Sequence, residues 1–589
     1  MEHPAKRVRV SSESEDQNGG ASAPLSSLHR IITPPPRARP QGPRVSDRSS
    51  YEELAGAHHS VSQVESSSHE LARPSDAQVI SSPIQLTHIR DFPESKGYNV
   101  DTVKLRDLLG DPMIRECWQF NYLFDVDFLM SQFDEDVRSL VKVKVVHGSW
   151  ERESANRVRV EEACSRYPNV EPIIAYMPER FGTHHSKMMI LLRHDDLAQV
   201  IIHTANMIHG DWANMTQAIW RSPLLPLQAP GKSTAASQQA TFATGARFKR
   251  DLLSYLRAYG SKKTGSLVRE LNRFDFDAVR AVLVASTPSK QEISKLDSDN
   301  ATLWGWPALK DVLSRIPIHD KTTETIRRSV VSPHIIIQIS SIASLGQTDK
   351  WLMETFFKAL APTRPVSQSK FSIIFPTPDE IRRSLEGYAS GGSIHMKTQS
   401  APQRKQLEYM RPFFCHWAGD GSSSSTCIDL SGDDLSPPPR TRREAGRARA
   451  APHIKTYIQF TDGETMDSID WAMVTSANLS TQAWGAAVNP SGEVRISSWE
   501  IGVLMWPELF VDEKVNASTM TESRSAVMVP CFQKDRPEFT QLETGGSRTT
   551  VGFRMPYDLP LTPYGASDEP WCATASHTTP DWRGQTWID

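Results

Sequence analysis

Two His-x-Lys pairs, each followed by a small-residue-plus-Asn triplet, hold the side chains best suited to chemistry in this chain. The first set is His185-Ser186-Lys187 with Thr204-Ala205-Asn206, and the second is His453-Ile454-Lys455 with Ser476-Ala477-Asn478. The Asn follows its His by 21 residues in one set and by 25 in the other. An imidazole serves as nucleophile, acid or base near neutral pH. An ammonium brings three donors and a positive charge, and an Asn amide adds donors without negative charge. Two such sets facing one another would hold a phosphodiester between two imidazoles. With eighteen His in the chain, about one His-x-Lys arises by chance, so the matching Asn companions carry the argument. A third pair, His395-Met396-Lys397, has no such companion and no clear strand around it, and reads as incidental.

The elements that must position these groups are strands. Residues 187 to 192 are apolar apart from the lysine and 454 to 460 alternate; residues two apart on a strand share a face, so His and Lys would project together. The folded region begins near Ser82 and reads as mixed α/β, with strands expected at 141 to 146 and 335 to 339 and an amphipathic helix at 351 to 360. A chain of 589 residues, 38% of them hydrophobic, has room for two core-bearing domains. Residues 1 to 80 are rich in Ser, Pro, Glu and Arg and read as a disordered tail that cannot bury enough apolar surface to offset chain entropy. Within it, residues 4 to 9 (PAKRVR) fit a short nuclear-import signal or an ordinary solvated charge cluster. A second low-complexity stretch, 419 to 450, holds Ile428-Asp429-Leu430 beside acids and then Arg440, Arg442, Arg443, Arg447 and Arg449. It reads as a disordered loop inserted next to a catalytic strand. Strand addition to a small ubiquitin-like modifier, arginine contacts to DNA phosphate, and a solvated linker all stay open for it.

A formal net charge of −3 does not announce a nucleic-acid binder, so contact with DNA must come from a local patch. The six Cys have no metal-ligand spacing and read as free thiols of a reducing compartment. No apolar run approaches membrane-spanning length and the N-terminus lacks a signal-peptide core, so a soluble, non-secreted protein is expected.

The double His-x-Lys resembles the phospholipase D superfamily, except that the Asp usually found five residues after the Lys is replaced by Leu192 and Phe460. The His-Lys-Asn variant is similar to tyrosyl-DNA phosphodiesterases of the 3′-phosphotyrosyl type. Longer segments agree, among them FNYLFDVDFLM from Phe120, FGTHHSKMMILL from Phe181, HTANMIHGDW from His203, SLEGYASGGS from Ser384 and VTSANLSTQAWGA from Val474. That resemblance implies an α/β fold of two phospholipase D-like α/β/α sandwich domains related by a pseudo-two-fold, at residues 81 to 288 and 289 to 589. It implies a DNA-repair phosphodiesterase in the nucleus that releases tyrosine from a DNA 3′ end, the adduct left by a stalled topoisomerase I. His185 would be the nucleophile, forming a phosphohistidine, and His453 the general acid and base. Lys187, Lys455, Asn206 and Asn478 would clamp the nonbridging oxygens, with Gln217 and Glu500 orienting the imidazoles. Phe181 is expected either to stack on a base or to lie in the core. Ser341, Ser344, Ser393 and Ser480 would contact the DNA, and His184 and His203 would be structural. No metal, no cofactor and no membrane partner are implied; DNA with a 3′ adduct, a topoisomerase I-derived peptide and a monomeric state are. Against this stand a phospholipase D-like nuclease and a non-catalytic DNA-end-binding scaffold.

Overall fold

The computed structural model describes residues 78–179, 181–229, 241–317, 332–419, 442–511, 526–538 and 549–588. Two large sheets organise them. In the first, six strands run in the order Ala218–Arg221, Leu197–His203, Met188–Arg193, Ile114–Phe120, Lys142–His147 and Val170–Ile174. The first three junctions are antiparallel and the last two parallel. The second sheet repeats that order and those senses with Glu500–Met505, Ile469–Thr475, Thr456–Phe460, His334–Gln338, Lys370–Ile374 and Phe414–Cys415. The duplication seen in two short motifs is thus a duplication of architecture.

Burial on both faces explains why the strand after the first motif is continuously apolar. Met188, Ile190 and Leu192 enter a large core continuous with the second sheet. Met189 and Leu191 enter a smaller core on the opposite face, under Val126–Met130 and Ala155–Ser165. The large core is closed by Gly245–Ala258 and Gly305–Arg315, whose apolar faces carry Phe248, Leu252, Leu256, Leu309 and Val312.

Several expected elements differ in place or kind. Val282–Ser286, ahead of residue 288, pairs antiparallel with Glu500–Met505 and so belongs to the second sheet. The expected helix at 351 to 360 starts as a π-helix, Trp351–Phe356, before an α-helical turn, Phe357–Leu360; the wider winding lets Trp351 and Phe356 stack at 5.2 Å, five positions apart. The end of the low-complexity stretch is not a solvated loop. Arg447 is fully buried and donates to the Thr87 and Tyr98 carbonyls at 3.0 and 3.1 Å. Arg442 pairs with Asp558, Arg443 with Asp467, and Arg449 donates to the Arg383 carbonyl. These arginines serve the fold, because partners far along the chain reach them. The Ile428-Asp429-Leu430 motif, Arg440, Cys427 and the basic cluster at 4 to 9 lie outside the described residues. Cys117, Cys164, Cys415, Cys531 and Cys572 are free and buried.

Candidate active site

Each of the two candidate histidines, His185 and His453, enters on an extended segment just before its strand, and each segment is gripped by the other half of the molecule. The His185 N–H donates to the Trp499 carbonyl at 2.9 Å, and the Trp499 N–H to the Thr183 carbonyl at 2.8 Å. The N–H groups of His453 and Ile454 donate to the Thr216 carbonyl, while the Thr216 N–H donates to Ala451. The approach is close: a Cβ on Gly182 would stand 2.0 Å from the Ser497 carbonyl oxygen. Because Trp499 precedes Glu500 and Thr216 precedes Gln217, this pairing delivers each half's polar side chain to the other half's imidazole.

Glu500 Oε2 lies 3.0 Å from His185 Nδ1 and accepts a 2.6 Å bond from Ser476 Oγ. Gln217 lies 3.1 Å and Asp211 Oδ2 3.2 Å from His453 Nδ1. With Nδ1 of each ring occupied, Nε2 is the atom left for chemistry. Both rings line one pocket of about 370 Å³, together with Tyr122, Phe181, Asn206, Ser341, Ser393, His395, Asn478, Ser480 and Glu500. Lys187 and Lys455 are fully buried and are not among the lining residues, each curled onto the backbone carbonyl of its own histidine. They do so from extended backbone ahead of Met188–Arg193 and Thr456–Phe460 rather than from within those strands.

Burial sets the charge states. Desolvation lowers the His185 pKa, with Glu500 opposing it and Lys187 adding to it. His453 is driven well below its usual 6.5 by desolvation and then by the charges of Lys455 and Lys187. Both imidazoles are therefore neutral near pH 7. Desolvation also lowers both lysines, against the pull of Glu500 and Asp211, and raises the Asp211 carboxyl. An incoming phosphodiester adds negative charge next to two neutral histidines. That charge favours protonation of His453.

The remaining expected residues fall as follows. Asn206 and Asn478 both reach the pocket; Asn478 Oδ1 accepts from the Ser340 and Ser341 N–H groups at 3.1 and 3.0 Å. Phe181 is 76% exposed at the pocket mouth, which removes the core alternative. Ser480 lines the pocket and caps Thr481–Trp484. Ser393 Oγ donates to Asp211 at 3.3 Å. Ser344 is exposed and stands outside the pocket lining. His184 is buried between the Asn121 carbonyl and the Tyr259 hydroxyl, and His203 is buried as well. Sequence reasoning missed Asp211 and Tyr122, although both lie inside the quoted segments; the positions of Asp211 five residues after Asn206 and of Tyr122 two after Phe120 were the available signals. It also set aside His395, which lines the pocket. Among the described residues no group of three or more His, Cys, Asp or Glu is arranged to hold a metal ion, and no helix is long and apolar enough to cross a membrane.

Comparison with known proteins gives one answer. The family model described as tyrosyl-DNA phosphodiesterase matches residues 83–565. A probable tyrosyl-DNA phosphodiesterase of Schizosaccharomyces pombe is 30% identical over 567 residues, spanning 87% of this chain and 96% of the relative. Tyrosyl-DNA phosphodiesterase 1 of Arabidopsis thaliana is 28% identical over 524 residues, 83% of this chain and 74% of that protein. The crystal structure of the yeast tyrosyl-DNA phosphodiesterase superposes with a TM-score of 0.55 at 21% identity, covering 83% of this chain and 98% of that one, a likeness of fold.

Proposed function

Because the chain belongs to the tyrosyl-DNA phosphodiesterase family, a group of DNA-repair hydrolases that split the bond between a DNA 3′ end and a tyrosine, we propose that its pocket does so in two in-line displacements at phosphorus. In the first, His185 Nε2 attacks phosphorus and the P–O bond to tyrosine breaks, leaving DNA joined to His185 through a P–N bond. His453, protonated in the presence of the phosphodiester, gives its Nε2 proton to the phenolate. A phenol pKa near 10 means this leaving group needs less acid help than an alkoxide. In the second displacement neutral His453 takes a proton from water. The resulting hydroxide attacks phosphorus, the P–N bond breaks, and DNA leaves with a 3′-phosphate. Lys187, Lys455, Asn206 and Asn478 stabilise the nonbridging oxygens as charge builds on them.

The observation that carries this reading is the crossed pair of orienters. Glu500 on His185 and Asp211 with Gln217 on His453 fix both Nδ1 atoms, so two neutral imidazoles line one pocket, each with a buried lysine folded onto its own carbonyl. Phe181 at the mouth offers a face for a base of the strand. A peptide derived from topoisomerase I is the adduct the reading supplies as substrate. A monomer suffices because both sets are on one chain, and nuclear residence rests on the basic cluster at 4 to 9. Light scattering and microscopy of a fluorescent fusion check these last two.

The test is a single-stranded oligonucleotide bearing 3′-phosphotyrosine, incubated with protein in excess EDTA. Wild type converts it to the 3′-phosphate, His185→Ala forms no adduct, and His453→Ala accumulates a covalent protein-DNA species. A requirement for magnesium refutes the two-lysine account, and tight binding without conversion leaves an end-binding scaffold.

A further inference from the structure

The third His-x-Lys pair lies on a short strand that closes one wall of the pocket. His395–Met396 pairs in parallel with Ser341–Ile342, and the His395 N–H donates to the Ser340 carbonyl at 2.9 Å. The wall is fixed at both ends. Asn478 accepts from the N–H groups of Ser340 and Ser341, while the Trp571 indole N–H donates to the Gly391 and Ile394 carbonyls. A Cβ on Gly391 would stand 2.3 Å from the Trp571 ring, so that loop is seated closely against a fully buried side chain. Ser393, two residues earlier, donates to the Asp211 carboxylate that also orients His453. His395 is therefore tied through its own wall to the histidine on which the leaving group departs. Its side chain lines the pocket and keeps more contact with solvent than that of His453, which is almost wholly buried.

In-line geometry then assigns a direction. With His185 entering on one side of phosphorus, the tyrosine oxygen leaves on the opposite side, toward His453. Whatever is attached to the tyrosine passes outward on that side, the side to which the His395 strand is linked through Ser393 and Asp211. Resting on the two-step reading above, we propose that His395 is a specificity-determining residue that holds the main chain of the peptide attached to the leaving tyrosine. Desolvation and the neighbouring Lys397 charge keep its imidazole neutral, and its ring bonds the Gly392 carbonyl. One ring nitrogen is thereby left as an acceptor, suited to a peptide N–H.

Single-turnover kinetics on two oligonucleotide substrates test this, one carrying a 3′-phosphotyrosyl peptide and one a 3′-phospho-p-nitrophenyl group, which has a leaving ring but no peptide. His395→Ala should lower kcat/KM for covalent adduct formation five- to tenfold on the peptide substrate and less than twofold on the p-nitrophenyl one. Breakdown of the phosphohistidine, from which the adduct has gone, should be unchanged. His395→Asn, which retains an acceptor, should recover part of the loss. Equal losses on both substrates would place His395 on the DNA strand and overturn the proposal, and so would no loss on either. If wild type forms no adduct from either substrate, the catalytic reading itself fails. Turnover of the p-nitrophenyl substrate also shows that each variant is folded.

Discussion

At the scale of single residues, the two imidazoles differ in their partners, and the difference predicts separable defects. On the proposed mechanism, Glu500 supports the positive charge that grows on His185 as Nε2 bonds phosphorus. Glu500→Gln puts an amide in its place, whose NH₂ can reverse the ring's tautomer, and should slow adduct formation on the order of 10³-fold while leaving adduct breakdown nearly intact. On the same mechanism Asp211 serves a ring that acts in both steps, so Asp211→Asn should slow formation and breakdown together, with adduct persisting on gels. The electrostatics add a proton-linkage prediction. Burial and the two lysines hold the free His453 below 6.5, and a bound phosphodiester raises it by supplying negative charge. Binding of a 3′-phosphorylated oligonucleotide near pH 7 should therefore take up protons. Calorimetry in two buffers of different ionisation enthalpy measures this, and His453→Ala should abolish most of the uptake. Both lysines are lowered from 10.5 by desolvation. Their clamp is present at low pH and lost as pH rises through the lowered values, so kcat/KM should fall on the alkaline side before ordinary lysines titrate.

At the scale of elements, the crossed segments explain both what was legible in the sequence and what was not. The His-Lys-Asn sets stand out because their spacing is local. The orienters Gln217 and Glu500 become visible only by resemblance, since nothing between residues 185 and 500 shows that Trp499 pairs with Thr183 and His185. Asp211 was hidden for the same reason: its partner His453 is brought in by the Thr216 contact. His395 was discounted because its strand is two residues long and depends on Ser341–Ile342, which cannot be recognised without the fold. Strand bounds shifted by a residue or two, as at Met188–Arg193, since hydrophobic runs do not reveal where ladder bonds begin. Trp499 is the element-level keystone. It is 1% exposed and stacks on Tyr259 at 3.9 Å, and Tyr259 in turn holds His184 and, with Tyr255, Ser186. Trp499→Ala should cost about 3–5 kcal/mol of stability, read by denaturant unfolding. In whatever fraction remains folded it should reduce adduct formation more than adduct breakdown, because the backbone that grips His185 is loosened first.

At the scale of the whole molecule, the question is where the second low-complexity stretch stops being an insertion and starts being fold. Composition put the end at 450, since arginines and alanines without large apolar side chains look solvated. Arg442 is already packed into the fold. Its guanidinium donates to the Ala418 and Gly419 carbonyls across the base of the stretch, so the two ends of the stretch already meet. Five residues later Arg447 joins the segments around Thr87 and Tyr98 to the segment that leads into His453. A buried guanidinium whose pKa is pushed down to about 9 by desolvation is a costly anchor, and removing it leaves two carbonyls without their donor, at roughly 1–3 kcal/mol each. Two deletions separate the regions. Replacing residues 420 to 441 by a short Gly-Ser linker between ends already in contact changes loop-closure entropy by less than about 2 kcal/mol. That protein should melt within a few degrees of wild type and process the 3′-phosphotyrosyl oligonucleotide at a comparable rate. Extending the deletion to 450 removes Arg447 and the Ala450 carbonyl that accepts from Thr216 Oγ1, and should yield a protein that neither folds cooperatively nor forms the adduct. Arg447→Met, which keeps the bulk and loses the charge, should fall between the two in melting temperature while retaining the order of the two chemical steps.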